Sequence, residues 1–332
     1  MRDIIDTNKP FAIILLNLGG PDTVEAVRPF LRNLFSDSTI IKLPMQPIMA
    51  RVISRSRAKK VTARYEAIGG GSPILRLTEA QAAGLESNLK NKGLDCRVYV
   101  GMSYWHPFIS ETIERIAADG FEQILAVSLF PQYSKATTGA CLSELKKAID
   151  KLEKPLQLDT LESWFDDDGY LKALAGCVKA GLDKFPPEQR EAVTVLFSAH
   201  SLPQSFVDDG DPYPKEIAGT INGILARLEP ITWRLAYQSR SGPVTWMEPQ
   251  TDAAIEEIAA AGVKNVLVVP ISFVSDHIET LFEIDIMYKQ LAKSKGIEVF
   301  ERCPSLNNSP PFIDALTGIV TKKLAPDKTA EG

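Results

Sequence analysis

Residues 266–286 read VLVVPISFVSDHIETLFEIDI. The opening is an apolar, β-branched run too short to span a membrane, the pattern of a strand buried in a parallel sheet. The chain then breaks at Ser275-Asp276 and resumes as a helix. Asp276, His277 and Glu279 stand within one turn of the break, and Glu283 lies a further turn along the same face. Three carboxylates and an imidazole just past a strand's carboxyl end occupy the place where open α/β sheets bind ligands. A plainer reading competes: Asp276 as N-cap with Glu279 three residues on is a capping box, and Glu283 alone reads as a solvated helix residue.

Outward from that stretch the chain alternates strand and helix. Residues 11–18 form a first buried strand closed by Gly19-Gly20-Pro21, with a helix over 24–35. A helix over 79–92, strand 97–102, helix 110–119, strand 123–130 and helix 140–152 follow. A second series begins near 160: helix 169–185, strand 192–198, helix 214–228, strand 234–238 and helix 252–261. The opening strand, its helix to about 294, strand 298–300 and helix 311–324 complete it. Such alternation predicts the α/β class with parallel, doubly wound sheets. The expected division is 1–160, 161–308, and a C-terminal helix and tail over 309–332, with a ligand cleft between the two α/β halves. The last residues, APDKTAEG, read as disordered.

Composition narrows the class. The 332 residues are 45% hydrophobic and 24% charged, as in a globular protein. A net charge of −5 gives no support to nucleic-acid binding. No apolar run reaches transmembrane length, and MRDIIDTNKP has neither signal-peptide nor transit-peptide character, so the expected location is the cytoplasm. Cys96, Cys141, Cys177 and Cys303 are scattered with no CxxC pair, which leaves zinc-ribbon, iron–sulfur and thioredoxin sites without their spacing.

Residues 40–53, IIKLPMQPIMARVI, are apolar and broken by two prolines, and a basic run through Arg51, Arg55, Arg57, Lys59, Lys60 and Arg64 follows. This reads either as an irregular helix with a solvated face or as an apolar lip beside a basic patch suited to an amphiphilic anion or a membrane surface. Residues 68–74, IGGGSPI, lack the Lys-Ser/Thr ending of a P-loop; the glycines are expected to let backbone pass something flat or bulky. LGGP after the first strand is not the dinucleotide fingerprint GxGxxG.

The sequence has three histidines, His106, His200 and His277, and each falls just past a predicted strand, which suggests a shared cleft wall. His200 reads either as a strand-end histidine bonded to backbone or as a general base or metal ligand. Imidazole and carboxylate at matching strand ends of one half favour a mixed N/O site suited to Fe, Zn, Cu or Ni. A serine hydrolase lacks its GxSxG elbow.

Seven runs carry a family resemblance: NLGGPDT (17–23), YEAIGGGSPI (65–74), PQYSKATTG (131–139), FSAHSLP (197–203), GDPYPKEI (210–217), YQSRSGPVTWMEPQT (237–251) and FVSDHIETLFEID (273–285). Over about residues 16–316 the chain resembles the ferrochelatases of the bacterial type. The resemblance implies two Rossmann-like domains enclosing a porphyrin cleft. It also implies insertion of Fe(II) into protoporphyrin IX with release of two protons, the last step of haem synthesis. His200 and Glu279 become the paired metal-binding and proton-handling residues. Asp276, His277 and Glu283 support them or form a metal path. Tyr65, Tyr104 and Trp246 line the porphyrin pocket on the opposite side, and 40–60 is the lip, with transient contact to the inner face of a membrane.

In this reading Fe(II) is a substrate and no cofactor is expected. The C-terminus lacks the cysteine cluster that holds an iron–sulfur centre in animal members, and a monomer is expected. Met287 stands where some relatives extend the acidic ladder, and Ser103 where some carry arginine. The alternatives are a chelatase for another tetrapyrrole, such as coproporphyrin, or another metal; a non-catalytic tetrapyrrole or metal carrier; and a sugar-nucleotide transferase, which lacks a phosphate-binding turn here.

Overall fold

A computed structural model of the chain describes residues 5–38, 44–242 and 244–325. The expectations for 40–43 and for the tail beyond 325 lie outside the described residues. Along the chain the elements are β1 (Phe11–Asn17), α1 (Val27–Ser36), α2 (Gln46–Ala67), α3 (Ile74–Asn91), β2 (Cys96–Met102), α4 (Ile109–Ala118), β3 (Gln123–Ser128), α5 (Ala140–Ile149) and β4 (Gln157–Leu161). The second half runs α6 (Asp168–Leu182), β5 (Val193–His200), α7 (Gln204–Asp208), α8 (Tyr213–Leu225), β6 (Thr232–Gln238), α9 (Thr251–Ala260) and β7 (Asn265–Pro270). A π-helix (Glu279–Tyr288), α10 (Lys289–Ser294), β8 (Val299–Arg302) and α11 (Pro310–Leu324) close it.

The strands form two four-stranded parallel sheets of the same order, β2-β1-β3-β4 and β6-β5-β7-β8. In each, the first strand of the half is central, and the winding reverses beside it, between β1 and β3 and between β5 and β7. That reversal opens a crevice at the strands' carboxyl ends. The central strands are buried along their length because both faces carry helices, which is why FAIILLN and VLVVP are near-continuous apolar runs. One core joins the halves: Phe11, Leu15 and Leu125 pack in the same cluster as Phe197, Val269 and Phe312. The Gln132 amide donates to the Ile271 carbonyl (3.2 Å), and the Tyr133 N–H donates to the Glu216 carboxylate (2.7 Å), tying the halves further.

Three local expectations change. The edge strand β4, QLDTL, is half-exposed and polar, so it carries no apolar run to betray it. The 40–53 stretch enters a regular 22-residue helix at Gln46, because Pro47 sits in the first turn, where a missing N–H costs nothing. The bulky object passed by the glycine loop is the chain's own backbone. A Cβ on Gly71 would stand 2.0 Å from the Asp22 carbonyl oxygen, and Ser72 N–H donates to Pro21 O at 2.7 Å. The 19–22 and 70–72 turns thus interlock. Gly71→Ala is expected to lower stability by about 2 kcal/mol, since the clash is with backbone that cannot rotate away; an unchanged urea midpoint would rule the interlock out.

Candidate functional site

His200 is the last residue of β5, and its neighbour across the winding reversal, β7, leads into the 271–279 turn. The imidazole is aimed by its surroundings. Its backbone N–H donates to Ser272 Oγ (2.8 Å), its carbonyl accepts from the Tyr213 hydroxyl (3.0 Å), and Phe273 meets both His200 and His277 edge-on. His200 Nδ1 lies 2.8 Å from Glu279 Oε2, and His277 Nε2 lies 3.8 Å from the same oxygen. The side chains of His200 and Glu279 are 32% and 21% exposed, so the pair reaches solvent in an open cleft.

Burial disfavours charge on Glu279, but the charge and hydrogen bonds of His200 and His277 outweigh it and hold the carboxyl well below its ordinary range. Burial likewise works against imidazolium at His200, and the Glu279 carboxylate overcomes it, raising His200. An ionised Glu279 accepts the Nδ1–H, which fixes the tautomer and leaves Nε2 free when the ring is neutral. Glu283 moves the other way: burial and the Glu279 charge raise it. It is seated by the Ser239 hydroxyl (2.5 Å) and the Gln238 amide (3.4 Å), and that amide also donates to the Glu279 carbonyl (3.1 Å). Gln238 and Ser239 carried no expected role, although both lie in the YQSRSGPVTWMEPQT run; only the end of β6, beside β5, brings them here.

The capping box does not form. The Asp276 N–H donates to Asn307 Oδ1, and residues 276–278 precede a π-helix whose N-cap, Ile278, makes no side-chain cap. Both Asp276 oxygens are taken: Oδ1 by Arg302, Ser305 and Thr280, Oδ2 by Asn307. Burial opposes its charge, but Arg302 and these donors keep its carboxyl below the ordinary range. Arg302 bridges onward to Asp285 through two bonds of 2.8 and 2.9 Å. Glu279 is thereby released from the backbone to face His200. The wider π turn, which closes i→i+5 bonds and recurs at functional sites, separates Glu279 from Glu283. Met287 packs against the apolar cluster of Ile284 and Tyr288.

The remaining expected residues sit as follows. Tyr65, on α2, is buried among Val27, Leu31 and Phe35, with Ile278 against the same cluster; burial and the Glu279 charge raise its phenol. Tyr104 is buried and donates to Asp37 Oδ2 at 2.6 Å. Trp246 is bridged through its backbone to Pro203, where residues 245–247 run antiparallel to 202–204. Its indole N–H is buried with no partner among the described residues. His106 does not join the others: it is exposed and paired with Glu111 at 2.9 Å. A cavity of about 460 Å³ adjoins the site between the glycine loop, Arg76, Asp276 and Asn307.

The family model described as Ferrochelatase matches residues 10–324. The ferrochelatase of Geotalea daltonii is 49% identical over 312 residues, 93% of this chain and 96% of that protein. That of Synechocystis is 47% identical over 320 residues, 94% and 82% of the two chains. Among solved structures, SirB from Bacillus subtilis with Fe3+ superposes with a TM-score of 0.56 at 15% identity, covering 96% of each chain, which shows a shared fold.

Proposed function

This chain belongs to the ferrochelatase family, a lyase whose substrate is Fe(II), and from that premise we propose that its porphyrin is protoporphyrin IX and that His200 and Glu279 carry out the insertion. The observation that carries the assignment is the 2.8 Å contact between His200, the last residue of β5, and Glu279, which opens the helix beyond the adjacent strand β7.

The chemistry follows from charge. Each pyrrole N–H bond that breaks leaves its electron pair on nitrogen, where the metal then binds, and two protons must leave. Neutral His200 takes a proton at Nε2, and the resulting imidazolium is stabilised by the Glu279 carboxylate already bonded at Nδ1. One imidazole and one carboxylate also suit Fe(II) as donors without trapping it. Glu283, held behind the pair with a raised proton affinity, accepts protons passed outward. Asp276 has no free oxygen and supports the turn instead of forming a metal path, while His277 steadies Glu279. Trp246, whose buried N–H has no acceptor among the described residues at a cost of about 1–3 kcal/mol, offers that donor to the macrocycle. Tyr65 and Tyr104 belong to the same pocket.

Met45, Ile48 and Val52 are 69%, 58% and 55% exposed at helical spacing where α2 begins, which supports a transient membrane-surface contact at the lip. Among the described residues no helix is long and apolar enough to cross a membrane.

Anaerobic mixing of the protein with Fe(II) and protoporphyrin IX is expected to remove the free-porphyrin absorbance; no turnover would sink the reading. Since the capping box is absent, Glu279→Gln is expected to lower kcat about 100-fold and to leave stability within about 1 kcal/mol. A variant that unfolds early yet turns over normally when folded would return Glu279 to a structural role.

A further inference from the structure

The two halves meet along α3 and α11, and one face of α3 forms the seam. Gly84 lies so close to α11 that an added Cβ would stand 3.0 Å from the Ile313 side chain. The Asn88 amide donates to Asp314 Oδ1 (3.1 Å) and Thr317 Oγ1 (3.3 Å). Gln81 precedes Gly84 by three residues, on the same face, and is fully buried. Its amide nitrogen donates to two acceptors of the second half, Ser275 Oγ at 2.9 Å and the Asn307 carbonyl at 2.8 Å. That carbonyl can only accept, which fixes the orientation of the amide.

Both acceptors hold the turn that precedes Glu279. Asn307 clasps it with three bonds. Its N–H donates to the Val274 carbonyl (2.7 Å), its Oδ1 accepts the Asp276 N–H (2.8 Å), and its Nδ2 donates to Asp276 Oδ2 (2.9 Å). It does so from a left-handed backbone, φ 48°, which asparagine adopts more readily than most residues. The Ser275 carbonyl accepts from His277 Nδ1 at 3.1 Å, and His277 Nε2 stands 3.8 Å from Glu279 Oε2. Gln81 thus reaches both sides of the clasp from a helix of the other half. As a device for strengthening the seam it is poor. Its Oε1 is buried with no hydrogen-bond partner among the described residues, and an unpaired buried acceptor lowers stability. What its two donated bonds supply is position.

We propose that Gln81 is a positioning residue for metal insertion, holding the 274–277 turn from across the seam so that Glu279 meets His200 at 2.8 Å. It acts through the turn and not on the substrate. Without its amide, Ser275 Oγ and the Asn307 carbonyl lose a shared donor. The turn then relaxes from the geometry in which imidazole and carboxylate work together, and small misplacements of reacting groups are costly to rate.

This role rests on the assignment of Glu279 to the chemistry, and a double-mutant cycle separates the two. Gln81→Met keeps the length of the side chain and removes the donor. It is expected to lower kcat about tenfold and to leave KM for protoporphyrin IX within about twofold. In the Glu279→Gln background the same substitution is expected to change kcat by less than about twofold, because the carboxylate that the turn presents is already gone. If Gln81→Met does not fold, Gln81→Asn, one carbon shorter, enters the same cycle. An unchanged kcat, an equal loss in both backgrounds, or a raised KM at constant kcat would overturn the proposal and leave Gln81 a residue of the seam. Full turnover by Glu279→Gln alone would instead overturn the assignment of Glu279.

Discussion

Replacing His200 by Ala is expected to leave protoporphyrin IX bound and to lower kcat for iron insertion about 10³-fold, the usual scale for losing a positioned general base. The imidazole is the group with a free nitrogen facing the cleft; its other nitrogen is committed to Glu279 at 2.8 Å. Its removal leaves the Glu279 carboxylate with only His277 to stabilise its charge, so the proposed proton acceptance and metal contact are expected to fail together. The fold is expected to persist, because β5 is held by its ladder to β6 and β7 and the His200 backbone bonds do not need the ring. Porphyrin quenching and anaerobic turnover separate the two effects. Near-normal kcat would make His200 a strand-end residue bonded to backbone and no more.

The largest expected loss of stability comes from Arg302→Met. Arg302 is 11% exposed on its side chain and binds Asp276 at 2.9 Å and Asp285 at 2.8 Å. Without it, Asp276 keeps a buried charge facing hydroxyls and an amide, and breaking such a pair from one side costs about 3 kcal/mol. The 276–278 turn is what presents Glu279, so turnover is expected to fall with stability, although Arg302 itself stands behind the turn. A urea midpoint equal to that of the unaltered protein would show that Asn307, Ser305 and Thr280 hold Asp276 unaided.

These two residues differ in how visible they are in the sequence. His200 ends an unmistakable apolar strand, and SDHIETLFEID begins just past the end of another, so both groups are visible in the sequence as candidates for one crevice. Arg302 sits at the end of a four-residue edge strand with nothing local to mark it. Gln238 and Ser239 are equally quiet: they close the half-exposed strand β6, and only its pairing beside β5 brings them to Glu283.

By itself the sequence determined the α/β class, two wound halves, the identity of the His200–Glu279 pair and the family. All of these rest on apolar runs, strand-end placement and contiguous motifs, which are local properties. Tertiary structure alone decided the role of Asp276. Its position before Glu279 spells a capping box, yet Arg302 and Asn307 offer a stronger set of partners than a helix N-terminus can. That competition is resolved by long-range charge pairing, which no local pattern encodes, and its result is to start the helix at Glu279 and turn that carboxylate towards His200.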